Sequence, residues 1–198
     1  MGPPQNLDEY LKFIAVETAR MGWPGSMMRG EKHVLKKGAK QATERFFRDR
    51  FPMRSLWDDP LGVADDYERW HRRICCDLAD VLGTFMGAKH NKPETVAAKL
   101  LDTFMHQLMK TSRFRVLWPK LHLPLDSRVF AALRRRRVDF DGKAQIVEIL
   151  REGWPYSINR DQYDRIQESL QGLLAQMPSY PSDGLQWSSR IELNWLWI

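Results

Sequence analysis

The stretch LHLPLDSRVFAALRRRR, residues 121–137, decides how the rest of the chain is read. A short apolar run leads into Pro124, and Asp126 follows where a helix N-cap is expected. Beyond it, Val129, Phe130, Ala132 and Leu133 lead to four consecutive arginines, Arg134 to Arg137. Aspartate suits an N-cap because its carboxylate accepts a hydrogen bond from the exposed amides of the first turn. The helix dipole also favours its ionised form. The segment therefore predicts a fixed, charged carboxylate at the head of a helix with a strongly basic tail. Taken alone, that carboxylate reads as an ordinary cap before it reads as a catalytic group.

Working outward, nearly every periodic segment reads as helix. Residues 6–21 carry a helical stripe that stops at Gly22-Trp23-Pro24-Gly25. A short helix is predicted over 39–50, closed by Pro52, with a loop over 53–60. A longer helix is predicted over 63–86, with Tyr67, Trp70, Ile74, Leu78, Val81, Leu82 and Phe85 on one side. Pro93 suits the first turn of a helix running to about residue 110. A loop bearing Trp118-Pro119 precedes the Asp126 helix, and a short helix follows over 143–152. Asn159 with Gln162 has the spacing of a capping box, opening a helix to about residue 177. A tryptophan-rich amphipathic segment closes the chain at 185–198. No strand alternation is evident. The expectation is an all-α, compact helical domain of about eight helices covering residues 1–198.

The 31 lysines and arginines outnumber the 25 acidic residues, for a formal net charge of +6. That surplus points to an anionic partner, most simply nucleic acid. The two cysteines are adjacent, Cys75 and Cys76, which excludes a disulfide framework and a four-thiolate metal site. No apolar run approaches the roughly 20 residues that span a bilayer, and the N-terminus lacks the order of a signal peptide. The expectation is a cytoplasmic monomer with no membrane contact.

Several groups are candidates for chemistry. On the helix from Pro93, Lys99, Thr103, His106 and Lys110 share one face, opposite Ala97, Leu101, Phe104, Met105 and Leu108. This polar face is either simply solvated or borders a cleft in which Lys99 is an amine nucleophile. The second reading needs burial or neighbouring cations to lower the amine's pKa. Arg134 to Arg137, Lys36, Lys37, Lys40, Arg113 and Arg115 are either phosphate contacts or solvated charges. Trp23, Trp57, Trp118 and Trp154 either stack on an extruded base or plug the edge of the core. His71 with Cys75 and Cys76 has helical spacing for a metal. With no fourth ligand evident, buried thiols are the simpler reading.

The segment LPLDSRVFAALRR, residues 123–135, resembles the catalytic-aspartate segment of the helix-hairpin-helix DNA glycosylase superfamily, where P-[VLI]-D-[ST]-x-[VI] caps a helix that ends in basic residues. Pro124, Leu125, Asp126, Ser127 and Val129 fit that pattern. ETVAAKLLDTFMHQL, residues 94–108, resembles the lysine-bearing helix of the archaeal 8-oxoguanine glycosylase branch. The superfamily's glycine-rich hairpin is replaced by Gly87-Ala88-Lys89-His90-Asn91-Lys92-Pro93. The resemblance implies excision of a modified or damaged base from double-stranded DNA, without a cofactor. Asp126 would be the catalytic carboxylate and Lys99 the Schiff-base lysine, with strand nicking if the lysine attacks. Lys89, Lys92, Lys110, Arg128, Arg134, Arg135 and Arg136 would hold DNA, and Trp23, His106 and Trp118 would line the base pocket. Compact bacterial relatives of this type are similar to phage-defence glycosylases that remove hypermodified bases such as glucosylated hydroxymethylcytosine. The alternative is a non-catalytic, basic helical module that binds nucleic acid.

Overall fold

The computed structural model describes residues 4–22, 35–87, 92–125, 129, 131, 143–152, 158–176, 190 and 193. Among these the fold is all-α, with one isolated bridge between Leu35 and Met86 in place of any strand. The helices are α1 (Leu7–Gly22), α2 (Ala39–Asp49), α3 (Met53–Asp58), α4 (Pro60–Asp65), α5 (Tyr67–Gly83), α6 (Pro93–Leu108), a 3-10 helix (Ser112–Lys120), α7 (Lys143–Glu152) and α8 (Arg160–Gln176).

Local chemistry sets most of these boundaries. Asn6 Oδ1 accepts from Glu9 N at 3.0 Å and opens α1. The predicted capping box at α8 is present in both directions. Asn159 Oδ1 accepts from Gln162 N at 2.9 Å, and Gln162 Oε1 accepts from Asn159 N at 2.8 Å. Gly38, at φ 101°, turns the chain into α2, and a Cβ there would meet the Phe85 ring at 3.0 Å.

Three expectations are corrected. Residues 53–60, read as a loop, are helical over α3 and at the start of α4. Asp59 makes the second helix possible, since its Oδ1 accepts from Gly62 N at 2.9 Å while Pro60 occupies the first turn. The single helix expected over 63–86 is two, because Asp66 leaves the helical conformation (φ −121°, ψ 39°) between α4 and α5. The loop around Trp118-Pro119 is the 3-10 helix, which buries Phe114 and Leu117 three residues apart, matching its three residues per turn.

The core is organised around α6, which packs against α1, α5 and α8. Ala97, Leu101, Phe104, Met105 and Leu108 are buried as their spacing predicts. The opposite face is not uniformly polar surface. Thr95, Lys99 and Asp102 are buried as well, so α6 is enclosed on every side over residues 95–102. Only toward its end does a wet face open, with Thr103 and His106 half-buried and Lys110 exposed. Phe104 stacks on Phe47 with ring centroids 4.0 Å apart, and Phe51 meets Phe104 edge-on at 4.8 Å. Burying one such ring contributes on the order of 2–3 kcal/mol, so this cluster fixes how α2 sits on α6.

Candidate functional site

The residues expected to do chemistry fall into three groups. Asp126, Arg128, Arg134, Arg135, Arg136, Trp23 and Lys89 lie outside the described residues. Lys92 is half-buried just before α6, and Lys99 is 4 % exposed within it. His106, Lys110 and Trp118 come together. With Met109 and Arg115 they line a groove of about 550 Å³, the His106 and Trp118 rings 6.0 Å apart. Lys99 lies about two turns of α6 before His106 and is not part of the groove's described lining. Burial, with Lys110 nearby, lowers the pKa of His106 and keeps its imidazole neutral.

Other candidates serve packing. The Arg113 guanidinium lies 5.0 Å over the Trp57 ring and its Nε donates to Trp57 O at 2.6 Å, so this pair seals α3 against the 3-10 helix. Lys40 pairs with Glu44 across one turn of α2 at 3.9 Å. Cys75 is buried and Cys76 exposed, so the adjacent thiols do not form one site.

The most constrained polar assembly went unread in the sequence. His71 on α5, Asp102 on α6, His122 and Tyr163 on α8 are all at most 2 % exposed. His71 Nε2 lies 2.8 Å from Asp102 Oδ1, and Tyr163 Oη donates to Asp102 Oδ2 at 2.6 Å. His122 Nδ1 lies 3.0 Å from Tyr163 Oη, and its Nε2 lies 2.8 and 3.0 Å from the two oxygens of Glu68. The two imidazole rings are 4.2 Å apart. Arg190 anchors the outer end, donating to Glu68 Oε1 at 3.0 Å and to Lys120 O at 2.8 Å. Two faint signals pointed here. Asp102 interrupts the apolar run KLLDTFM, and His122 interrupts LHLPL. Buried polar residues in apolar runs must find partners.

The electrostatics follow from that enclosure. Burial, reinforced by the neighbouring His71, pushes His122 down to about 3. Burial also opposes charge on His71, yet Cys75 and the hydrogen bond to Asp102 outweigh it and raise its pKa to about 9. Desolvation acts to raise Glu68, but His122 and Arg190 hold its carboxyl below the usual range. Burial drives the Tyr67 and Tyr163 phenols well above theirs. His71, Asp102 and His122 also bring nitrogen and oxygen donors within 4.8 Å of one another, close enough to hold a metal ion.

The assembly fixes a segment of backbone. Residues 121–125 cross the core with Leu121, His122, Leu123 and Leu125 buried. Leu123 is clamped by Gln167, which accepts from its N–H at 3.1 Å and donates to its carbonyl at 2.8 Å. Arg190 Nε donates to Leu121 O at 3.3 Å. The peptide leading directly into Asp126 is thereby tied to α5, α6 and α8. Beside it lies a wider cleft of about 850 Å³ between α5 and α8, into which Glu68 is exposed. Basic and acidic side chains alternate around that cleft, with Arg72 paired to Asp164 and Arg190 to Glu68. Its charges offset one another, unlike those of the His106 groove, where Lys110 and Arg115 face no acidic lining residue among the described residues.

No known protein family, curated protein or solved structure matches this chain.

Proposed function

We propose that the protein is a DNA glycosylase that extrudes a modified base from duplex DNA and cleaves its N-glycosidic bond. The observation that carries this reading is the groove in which His106, Lys110, Arg115 and Trp118 meet. Cationic side chains beside a half-buried tryptophan suit a strand with an unstacked base. Lys110 and Arg115 take phosphates and Trp118 offers a stacking surface.

Breaking the glycosidic bond builds positive charge on the sugar as the base departs with the bonding electrons. Asp126 would stabilise that charge, or take a proton from the attacking water. Lys99, 4 % exposed within α6, would be the amine nucleophile. Attack by its nitrogen on the sugar carbon would form a carbon–nitrogen bond as the bond to the base breaks; opening of the sugar ring, with its oxygen taking a proton, would then give the iminium that permits strand nicking. The resemblance of residues 94–108 to the archaeal branch would suit oxidised guanine, while the replaced hairpin at 87–93 and the small size favour hypermodified phage bases such as glucosylated hydroxymethylcytosine.

The test is direct. Duplex DNA bearing damaged, hydroxymethylated or glucosylated bases is incubated with the protein and assayed for free base and alkali-labile sites. Asp126→Asn is expected to lower the rate about 10²–10³-fold. Borohydride is expected to trap the wild-type protein on DNA and not Lys99→Gln. Replacing both Lys110 and Arg115 with alanine should lower the salt dependence of binding by about two phosphate contacts. Salt-sensitive binding with no product on any of these substrates, or full activity in Asp126→Asn, would overturn the reading in favour of a non-catalytic binding module.

A further inference from the structure

We propose that His71, Asp102, His122 and Tyr163 coordinate one divalent first-row transition-metal ion, a structural centre joining α5, α6, α8 and residues 121–125. This inference is independent of base excision.

The geometry is that of adjacent ligands. Two donors each roughly 2.1 Å from an ion and at right angles to one another lie about 3.0 Å apart. His71 Nε2 to Asp102 Oδ1 is 2.8 Å, Asp102 Oδ2 to Tyr163 Oη is 2.6 Å and Tyr163 Oη to His122 Nδ1 is 3.0 Å. Such short separations suit right-angled coordination better than a tetrahedron. The donor set of two imidazoles, a carboxylate and a phenol is borderline in hardness. Iron and manganese are therefore expected ahead of zinc.

Proton inventory points the same way. The chain Glu68–His122–Tyr163–Asp102–His71 contains four close contacts, and each needs one proton between its heavy atoms. Neutral imidazoles, a phenol and two carboxylates supply three protons in all. One contact is therefore left without a proton, and an ion that takes Tyr163 Oη and His122 Nδ1 as ligands removes the need for one there. His122 is arranged as a ligand is, because the nitrogen turned away from the cluster meets the Glu68 carboxylate, itself held by Arg190. Such a partner fixes the tautomer and orientation of a metal-bound histidine.

A second observation lies beside the cluster. Tyr67 has a buried phenol oxygen without a hydrogen-bond partner among the described residues, and its ring lies 5.5 Å from His122 and 5.7 Å from His71. One contact works against the site. Arg160 Nη2 lies 3.3 Å from His71 Nδ1 and must swing toward Asp164, its ion-pair partner, if that nitrogen carries a proton. His71 Nδ1 would then face Cys75 Sγ, 3.7 Å away. Enclosure on all sides makes the ion structural and acquired as the chain folds.

The test uses the full chain, purified without a metal-binding tag or chelator, and elemental analysis. About one equivalent of iron, manganese or zinc per chain is expected, falling to background in Asp102→Asn and His122→Gln. Because those variants remove buried partners and can fail to fold, the wild-type chain is also unfolded in chelator and refolded with Fe(II), Mn(II), Zn(II) or none. The bound ion should raise the melting midpoint by roughly 5–10 °C. Metal-free protein whose midpoint is the same in chelator and in all three salts would overturn the proposal. So would metal retained at full stoichiometry by folded Asp102→Asn.

Discussion

Replacing Gln167 with leucine tests whether the segment running into Asp126 is held as tightly as its contacts indicate. The Gln167 amide accepts from Leu123 N at 3.1 Å and donates to Leu123 O at 2.8 Å, and both residues are buried. Leucine fills nearly the same volume but offers neither bond. Two buried peptide groups lose their partners, each at a cost of about 1–3 kcal/mol. The added apolar surface returns roughly 1 kcal/mol. The net loss is therefore about 3 kcal/mol, which for a chain of this size lowers the melting midpoint by roughly 6–12 °C. Thermal and urea unfolding followed by circular dichroism measure it. Gln171→Leu, one turn further along α8 and exposed, serves as control and should stay within about 0.5 kcal/mol of wild type. If Q167L is no less stable than Q171L, the clamp does not form in solution. The account of how Asp126 is presented would then be wrong.

Asn159→Ala removes one arm of the capping box at α8 and should cost about 1 kcal/mol, read as a shift in urea midpoint at unchanged m-value. His106 has a folded-state pKa below its ordinary value, so the unfolded chain binds the proton more readily. Its contribution to stability is therefore intact above the unfolded-state pKa, about 6.5, and is lost as the pH falls below it toward the folded-state value. A histidine NMR titration should place His106 below 6.5, and His106→Gln should flatten that part of the stability profile. A normal or raised value would show that the groove is wetter than described.

Much of the helical layout was legible because it is written in local chemistry. The capping box at Asn159, the proline opening α6 and the apolar stripe of α5 each act within a few residues, and each lies where its spacing placed it. The short helices α3 and α4 were not, since six-residue elements leave no period to count and the Asp59 cap sits among proline and glycine that read as loop. The 3-10 helix escaped for a related reason. Its Phe114 and Leu117 follow a three-residue repeat rather than the α-helical one.

The groove residues His106, Lys110 and Trp118 were singled out by type, but their meeting depends on how the 3-10 helix folds back beside the end of α6. The buried chain from Glu68 to His71 was invisible for a deeper reason. Its members come from residues 68, 71, 102, 122 and 163, and no spacing rule links positions that only tertiary packing brings together. The enclosure of Lys99 had the same origin, since a helical wheel cannot tell a solvent face from one covered by a distant segment.

The enclosure of α6 also governs the order in which the molecule can be made. Its cover comes from α1, some seventy residues before it, and from α8, some fifty residues after it. While synthesis proceeds from the amino end, α6 leaves the ribosome well ahead of α8, and the side that carries Thr95 and Asp102 stays wet until that last cover arrives. The nascent chain therefore passes through an interval as a sticky, half-closed intermediate, the kind of species that chaperones shield. Closure must then be a single late, long-range event, so a chain stalled before α8 should be degraded or aggregate rather than persist as a smaller folded unit.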